Sequence, residues 1–454
     1  MFVIFILFLA LSVVFSYKRA LYGCQFLLVS RILIPECVRL TPVADISLNT
    51  GVIFVTTIFV LKEFVFKRGN LNLKGKCLSY LIVLILFVLG WYLTVVLGDA
   101  KDRAFQISQL IQFTLTDILP IILLCITIRN KEDLELTLKV LFSCAFISCL
   151  WGCISWLIGA NPYTFAINSV YSKREYLIEN VNLSDGRGIM STSGTFEHAN
   201  GWGYFLPITF VMVFFYHTKR PSKFNVILLI LLTICTLICG KRSALVAYFF
   251  FWIGYFYLFL NIKRLSKWMV YGLIGILVLY VAVSILPELE KGWGLLESSI
   301  FFWDDSIRDR NDIGGSSWEM RIAQITYPFY EIRENLLFGH GYGWTAHYLS
   351  LHDFHPIMYG FENLLSEALC NGGIFGVVLW GFLFSKSYRY SSQNEKDKKY
   401  YLLFTMVQLA VGMATGLSYL IFYGLYIVIL NKFYLLNSNE NIRSNRNLQL
   451  RKRD

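Results

Sequence analysis

Long apolar runs alternate along the chain with short polar interruptions, and the length of the runs is informative. A helix that crosses the hydrocarbon core needs about 20 apolar residues. Runs of that order fall at roughly 1–17, 20–38, 46–66, 77–97, 105–128, 136–158, 201–216, 225–239, 243–260, 268–286, 361–384, 401–415 and 418–435. Lipid offers the backbone no hydrogen bonds, so only helices or a closed barrel can span it. Continuous runs of this length read as helices. The pattern predicts an all-α integral membrane protein with about 12–13 transmembrane helices. Arg31 is a charge inside the second run.

Two longer connections, about 159–200 and 287–360, interrupt the alternation. The expected organisation is a transmembrane bundle over 1–286 that holds the first loop, a large loop over 287–360, further spans over 361–436, and a basic tail over 437–454. Short connections are rich in Lys and Arg: Lys67, Arg68, Lys74 and Lys76; Arg129 and Lys131; Lys219, Arg220 and Lys223; Lys263, Arg264 and Lys267; then Lys386 to Lys399. Basic short loops stay on the cytoplasmic side, which puts both long loops on the outer face. Within the large loop, Ser316 to Glu319 has capping-box spacing. Trp318, Ile322, Ile325, Phe329 and Ile332 follow at helical spacing, the pattern of an amphipathic helix at the membrane surface or against the bundle.

Composition agrees. Hydrophobic residues make up 56% and charged residues 16%, against roughly 45–50% and 25% in soluble domains. That excludes a soluble enzyme. The net charge of +11 is explained by the interhelical clusters, so no nucleic-acid partner is expected. The ten cysteines fall mostly in apolar runs and form no CxxC, so neither disulfides nor structural zinc are expected. His347, His352 and His355 fit no ligand spacing, and the aspartates from Asp304 to Asp312 do not make a calcium loop. No metal is expected.

Four segments could carry chemistry. Gly240-Lys241-Arg242-Ser243 sets two cations between apolar runs, on the face where alternation disfavours them. An anionic substrate would supply their partner, and Arg presents a fork that matches phosphate oxygens. The stretch from Arg187 to Gly201 combines a Gly/Ser/Thr turn with Glu197, His198 and Asn200 at the start of a span. In the large loop, Arg321 precedes Leu336-Leu-Phe-Gly339-His340-Gly341-Tyr342-Gly343, where alternate glycines allow close backbone approach. Last, Asn363, Glu367 and Asn371 share a face at the start of a span, preceded by Glu362. Acidic groups inside a span cost about 2.5–3.5 kcal/mol and face a cavity or partner.

The order of SGTFEHANGWG, GKRSAL, an Arg-bearing helix, NLLFGHGYG and ENLLSEALCNGGIFG resembles the bacterial O-antigen polymerase and ligase superfamily. The resemblance runs from about Arg187 to Gly376. It implies a GT-C-like fold in the bacterial cytoplasmic membrane, with an outward-facing site, a polyprenyl-diphosphate-linked glycan as substrate and no cofactor. Membrane lipid, a chain-length regulator and a flippase are the implied partners. The ligases resemble one another in a His-Asn pair after the large loop. Here the pair is Glu362-Asn363, which favours a polymerase, although His355 could stand in for the histidine. Paired Arg-x10-Gly motifs of some polymerases are not matched, since His198 and Ile332 stand where the glycines would.

On this reading Arg187, Lys241, Arg242 and Arg321 bind the diphosphate, His198, Asn200 and Asn363 line the substrate, and Glu362 is the general base, with His340 and His355 in reserve. Two alternatives are a ligase that moves a finished glycan to an acceptor, and a transporter or lipid-linked oligosaccharide flippase.

Overall fold

The computed structural model describes residues 2–35, 38–40, 46–66, 76–99, 102–163, 191–260, 293–294, 297–298, 300–301, 303–310, 317–391, 395–416 and 420–432. Arg187, the candidate span 268–286, the basic cluster 263–267 and the tail 437–454 lie outside them.

The apolar runs among the described residues are helices. In chain order these are α1 Phe2–Lys18, α2 Ala20–Leu33, α3 Leu48–Phe66, α4 Lys76–Leu97, α5 Arg103–Phe113, α6 Leu119–Thr127, α7 Lys131–Ile158, α8 Ala199–Lys219, α9 Lys223–Ile238 and α10 Arg242–Phe259. Then come the short α11 Asp305–Arg310, α12 Trp318–Glu331 and α13 Trp344–Leu351, followed by α14 Leu364–Ser391, α15 Glu395–Thr415 and α16 Leu420–Lys432. A two-residue antiparallel pair, β1 Arg39–Leu40 with β2 Ile46–Ser47, precedes α3. Among the described residues five helical segments are long and apolar enough to cross a membrane: 78–97, 103–127, 131–158, 242–259 and 364–389. The protein is an all-α integral membrane protein.

Three spans differ from the pattern. The second stops at Leu33, because Pro35 disfavours helical geometry in Ile34, which is extended. The run 105–128 is interrupted by a π-turn at Thr114–Ile118. There Asp117 Oδ1 lies 4.0 Å from Arg31 Nη2, and both side chains are largely buried. An intramembrane charge thus finds an opposite charge on another helix. Finally, α14 is broken at Gly373, whose φ of 60° and ψ of −155° are not helical. The cysteine expectation also needs correction: Cys125 is disulfide-bonded.

The two ends of the bundle differ in chemistry. One carries ion pairs that tie helix ends together: Arg19 to Asp133 at 2.6 Å, Arg129 to Glu63 at 2.9 Å and Lys219 to Asp397 at 2.7 Å. The opposite end carries the 191–198 turn, the 239–241 turn and the segment 317–363. We call it the loop end.

The break in α14 is filled from that end. A helix interrupted inside a bundle frees backbone groups that must be paired again. The Ile374 amide donates to Leu336 O and the Phe375 amide to Leu337 O, each at 3.0 Å, while the His340 amide donates to Cys370 O at 3.0 Å. The loop is clamped from its other side by α4 and α5. Gln106 Nε2 donates to His340 O at 3.0 Å, Asn335 Nδ2 to Leu97 O at 3.0 Å, and the Tyr342 amide to Thr94 Oγ1 at 3.2 Å.

Gly373 is therefore the residue this junction tolerates least. A Cβ there would stand 2.6 Å from the Leu336 and Leu337 carbonyl oxygens, on a backbone that only glycine adopts readily. Gly381, in the same helix, has nothing within 4 Å of its Cβ position. Gly373→Ala should lower stability by at least about 1–3 kcal/mol, whereas Gly381→Ala should leave it unchanged or slightly raised. Thermal unfolding of the detergent-solubilised protein, read by loss of monodisperse fluorescence-detected material, checks both.

Candidate functional site

Arg321 and Glu362 meet at the loop end. Arg321 rises from the first turn of α12, which Ser317 caps by accepting from the Met320 amide at 3.1 Å. Its Nη2 lies 3.5 Å from Glu362 Oε2, while Nη1 donates to Gln324 Oε1 at 3.0 Å and to Glu362 O at 3.3 Å. The Arg321 side chain is 25% exposed and that of Glu362 51%. Burial pushes the guanidinium below its ordinary pKa, with Glu362 opposing the shift. Half of the Glu362 side chain is open.

Glu362 leads directly into Asn363, which is buried. Asn363 Oδ1 accepts from the Leu365 amide at 2.8 Å and Nδ2 donates to Met413 O at 2.9 Å. Asn363 thus caps α14 and ties it to α15, and both ends of its amide are occupied. Asn371 is likewise engaged, with Thr345, through Oδ1 and Nδ2. The two asparagines on this face of α14 are thus engaged in hydrogen bonds to other elements.

The start of α8 connects this region to the Lys-Arg turn. Tyr204 OH donates to Gly416 O, and a Cβ at Gly416 would lie 3.3 Å from Glu367 Oε2. On the other side of α8, Cys239 Sγ donates to Ala199 O at 3.4 Å, and Lys241 Cβ would lie 3.6 Å from a Cβ at Gly203. Gly240 turns the chain with a φ of 68°. Lys241 is buried and Arg242, the first residue of α10, is half-buried. His198 and Asn200 are exposed at the α8 N-terminus, where His198 Nδ1 accepts from the Asn200 amide at 3.0 Å.

The Ser/Thr turn before α8 is occupied by the protein itself. Thr195 Oγ1 donates to Ile32 O at 2.6 Å, Asn161 Nδ2 donates to Gly194 O at 2.9 Å, and Trp202 Nε1 donates to Ser148 Oγ at 3.0 Å. Its donors hold helices together rather than standing open. The alternate glycines of the large loop do permit close approach, but to backbone and side chains of α4, α5 and α14. His340 stacks on Trp344 with centroids 4.4 Å apart.

His355, the histidine nearest in sequence before Asn363, is engaged in its own loop. It is 4% exposed, and its Nδ1 accepts from the Ile357 amide at 3.1 Å and the Met358 amide at 3.0 Å. Its Nε2 faces Glu331 Oε2 at 3.7 Å. Glu331 closes α12, while Arg321 lies in its first turn, ~15 Å away along the helix at 1.5 Å per residue. His355 is the internal brace of a tight loop. Sequence reasoning missed Gln324, which is fully buried and donates Nε2 to Met358 O at 3.0 Å while accepting from Arg321. Its place three residues after Arg321 on a helix was the available signal.

Burial holds the His355 pKa below its ordinary value against the pull of Glu331. The unfolded chain then binds the extra proton more readily, so folding stability falls as pH drops below about 6.5. Asn at 355 offers Oδ1 where Nδ1 now accepts. His355→Asn should keep the fold and flatten the loss of thermal stability between about pH 6.5 and 5. A steep loss that persists in the variant would show that His355 is not its source.

The arrangement is an arginine and a carboxylate at the mouth of a membrane bundle, with a second cationic turn at the same end. No curated protein is similar enough to the chain to identify a relative. Residues 227–381 match the family model described as O-antigen ligase, a segment that holds Lys241, Arg242, Arg321, Glu362 and the broken helix.

Proposed function

We propose that the protein is a membrane glycosyltransferase that polymerises polyprenyl-diphosphate-linked oligosaccharide repeat units into O-antigen, capsular or exopolysaccharide. The Arg321–Glu362 pair at the start of the span after the large loop is the observation that carries this reading. The reaction faces outward from the cytoplasmic membrane, where no nucleotide sugar is needed because the lipid diphosphate is already an activated leaving group.

The chemistry asks for two things. The acceptor hydroxyl oxygen attacks the anomeric carbon of the donor, the bond from that carbon to the diphosphate oxygen breaks, and its electron pair leaves with the polyprenyl diphosphate. Guanidinium groups stabilise that charge. Glu362 takes the acceptor proton. In the free protein each member of the pair neutralises the other. A diphosphate that draws the Arg321 fork toward its own oxygens weakens Arg321's hold on Glu362 and leaves that carboxylate available as a base. Arg242, and Arg187 and Lys241 with it, supply further positive charge, while His198 and Asn200 contact the glycan. Asn363 acts by fixing the start of α14. The engagement of His355 in its own loop favours polymerase over ligase, because it removes the histidine that could have restored the His-Asn pair.

Arg321→Lys and Arg242→Lys keep the charge but lose the planar fork. Each should cut polymerisation about 10²-fold at wild-type protein level. Glu362→Gln should reduce chain growth about 10²–10⁴-fold and leave single-repeat products. Gel banding of the surface glycan from cells that express each variant reads all three. Normal long chains from Glu362→Gln would remove it as the base, and material arrested as bare acceptor would point to the ligase instead. A cysteine at position 242, in a background depleted of other thiols, should react with a membrane-impermeant reagent applied outside intact cells. Labelling only after the inner leaflet is opened would reverse the orientation.

A further inference from the structure

Among the described residues, the non-glycine positions with positive φ are Tyr359, at 59°, and Phe361, at 52°. They flank Gly360 and immediately precede Glu362. A bulky residue in the left-handed region is an outlier, and such conformations persist only where the surroundings impose them.

Here the surroundings do. The His355 amide donates to Tyr359 O at 2.8 Å and the Tyr359 amide donates back to His355 O at 2.9 Å. The His355 ring fills the turn between them by accepting from two amides, and Gln324 of α12 holds Met358 O. Met358 and Phe361 are buried, whereas Tyr359 is 51% exposed and Phe354 54%. The Phe354 and Tyr359 rings lie parallel, with centroids 5.1 Å apart and planes inclined by 14°. The Glu362 side chain lies against Gly360, where a Cβ would stand 3.2 Å from its Cγ and 3.6 Å from Oε1. The loop therefore spends its hydrogen bonds on presenting one aromatic ring, backed by a second, three residues before the carboxylate paired with Arg321.

We propose that Tyr359, braced by Phe354, is the stacking platform for a sugar ring of the acceptor glycan. This rests on the glycan-transfer reading above and adds to it the residue that positions the acceptor. A pyranose presents polarised C–H bonds on one face, which pack on an aromatic π-face, and hydroxyls around its rim, which need hydrogen-bonding partners. The platform, the Glu362 carboxylate and the tyrosine hydroxyl supply both. A ring seated there brings a rim hydroxyl toward the base. The other surface that would accept exposed aromatics is the outer leaflet. It fits less well, because Asp353 and Glu362 are exposed on the same loop and would have to be carried into it.

The test uses the full chain in nanodiscs with lipid-linked repeat units extracted from a strain that lacks the protein, and it reads initial transfer rate against concentration of those units. Tyr359→Phe and Tyr359→Trp should stay within about threefold of wild type. Tyr359→Leu and Tyr359→Ala should raise the half-saturating concentration about tenfold, with less change in the maximal rate, and with unchanged thermal midpoint. Leu is the discriminating variant: it is apolar and bulky enough for a lipid seat but has no π-face. Wild-type kinetics in Tyr359→Leu would overturn the platform while leaving glycan transfer intact. A wild-type protein that transfers nothing from these units would overturn both.

Discussion

The break at Gly373 is the constraint on which the rest of the loop end depends. A continuous helix would satisfy its own backbone and leave the large loop free to drift over it. Once the helix is interrupted, Cys370 O and the Ile374 and Phe375 amides need partners, and in a bundle that excludes water these must come from protein. The segment 336–340 supplies them. The same segment is held by Gln106, Thr94 and Leu97, so the loop becomes a wedge between α4, α5 and α14. Gly339, Gly341 and Gly343 all take positive φ to follow that path.

With the wedge in place, the position of α12 follows. It ends just before the wedge and carries Arg321 in its first turn, and Gln324 locks it to the 355–359 turn. Arg321 is thereby brought to Glu362 from a distant part of the chain. The ion pair they form is half open, which suits a binding site: a fully buried pair would be costly to separate, and a fully exposed one would be screened. The opposite end of the bundle handles charge differently. There Asp133 is wholly buried and accepts from Arg19 and from the Arg129 amide, a closed arrangement that fastens helices and offers nothing to a substrate.

The resemblance, the span pattern and the positions of Arg321 and Glu362 could all be read along the chain. The functions of the other polar residues could not. Asn363, Asn371, the Ser/Thr turn and His355 look equally available in sequence, because side chains of a given type are indistinguishable until their partners are known. In space their donors and acceptors are taken up by Met413, Thr345, Ile32, Ile357 and Met358. Glu362 is the reverse case: half of its side chain stands open.

What the sequence determined by itself was the kind of molecule. Apolar run length, basic clusters between runs and the large loop's capping signals act locally, through the cost of placing backbone and charge in lipid. They suffice to specify helices and their order. Tertiary structure decided where those helices break and which polar groups remain open. The π-turn that sets Asp117 opposite Arg31, the loop threaded into α14 and the bond from Gln324 that holds the turn below Tyr359 each depend on partners far away in the chain. No local pattern encodes such a pairing, because its energy exists only when both partners have already been brought together.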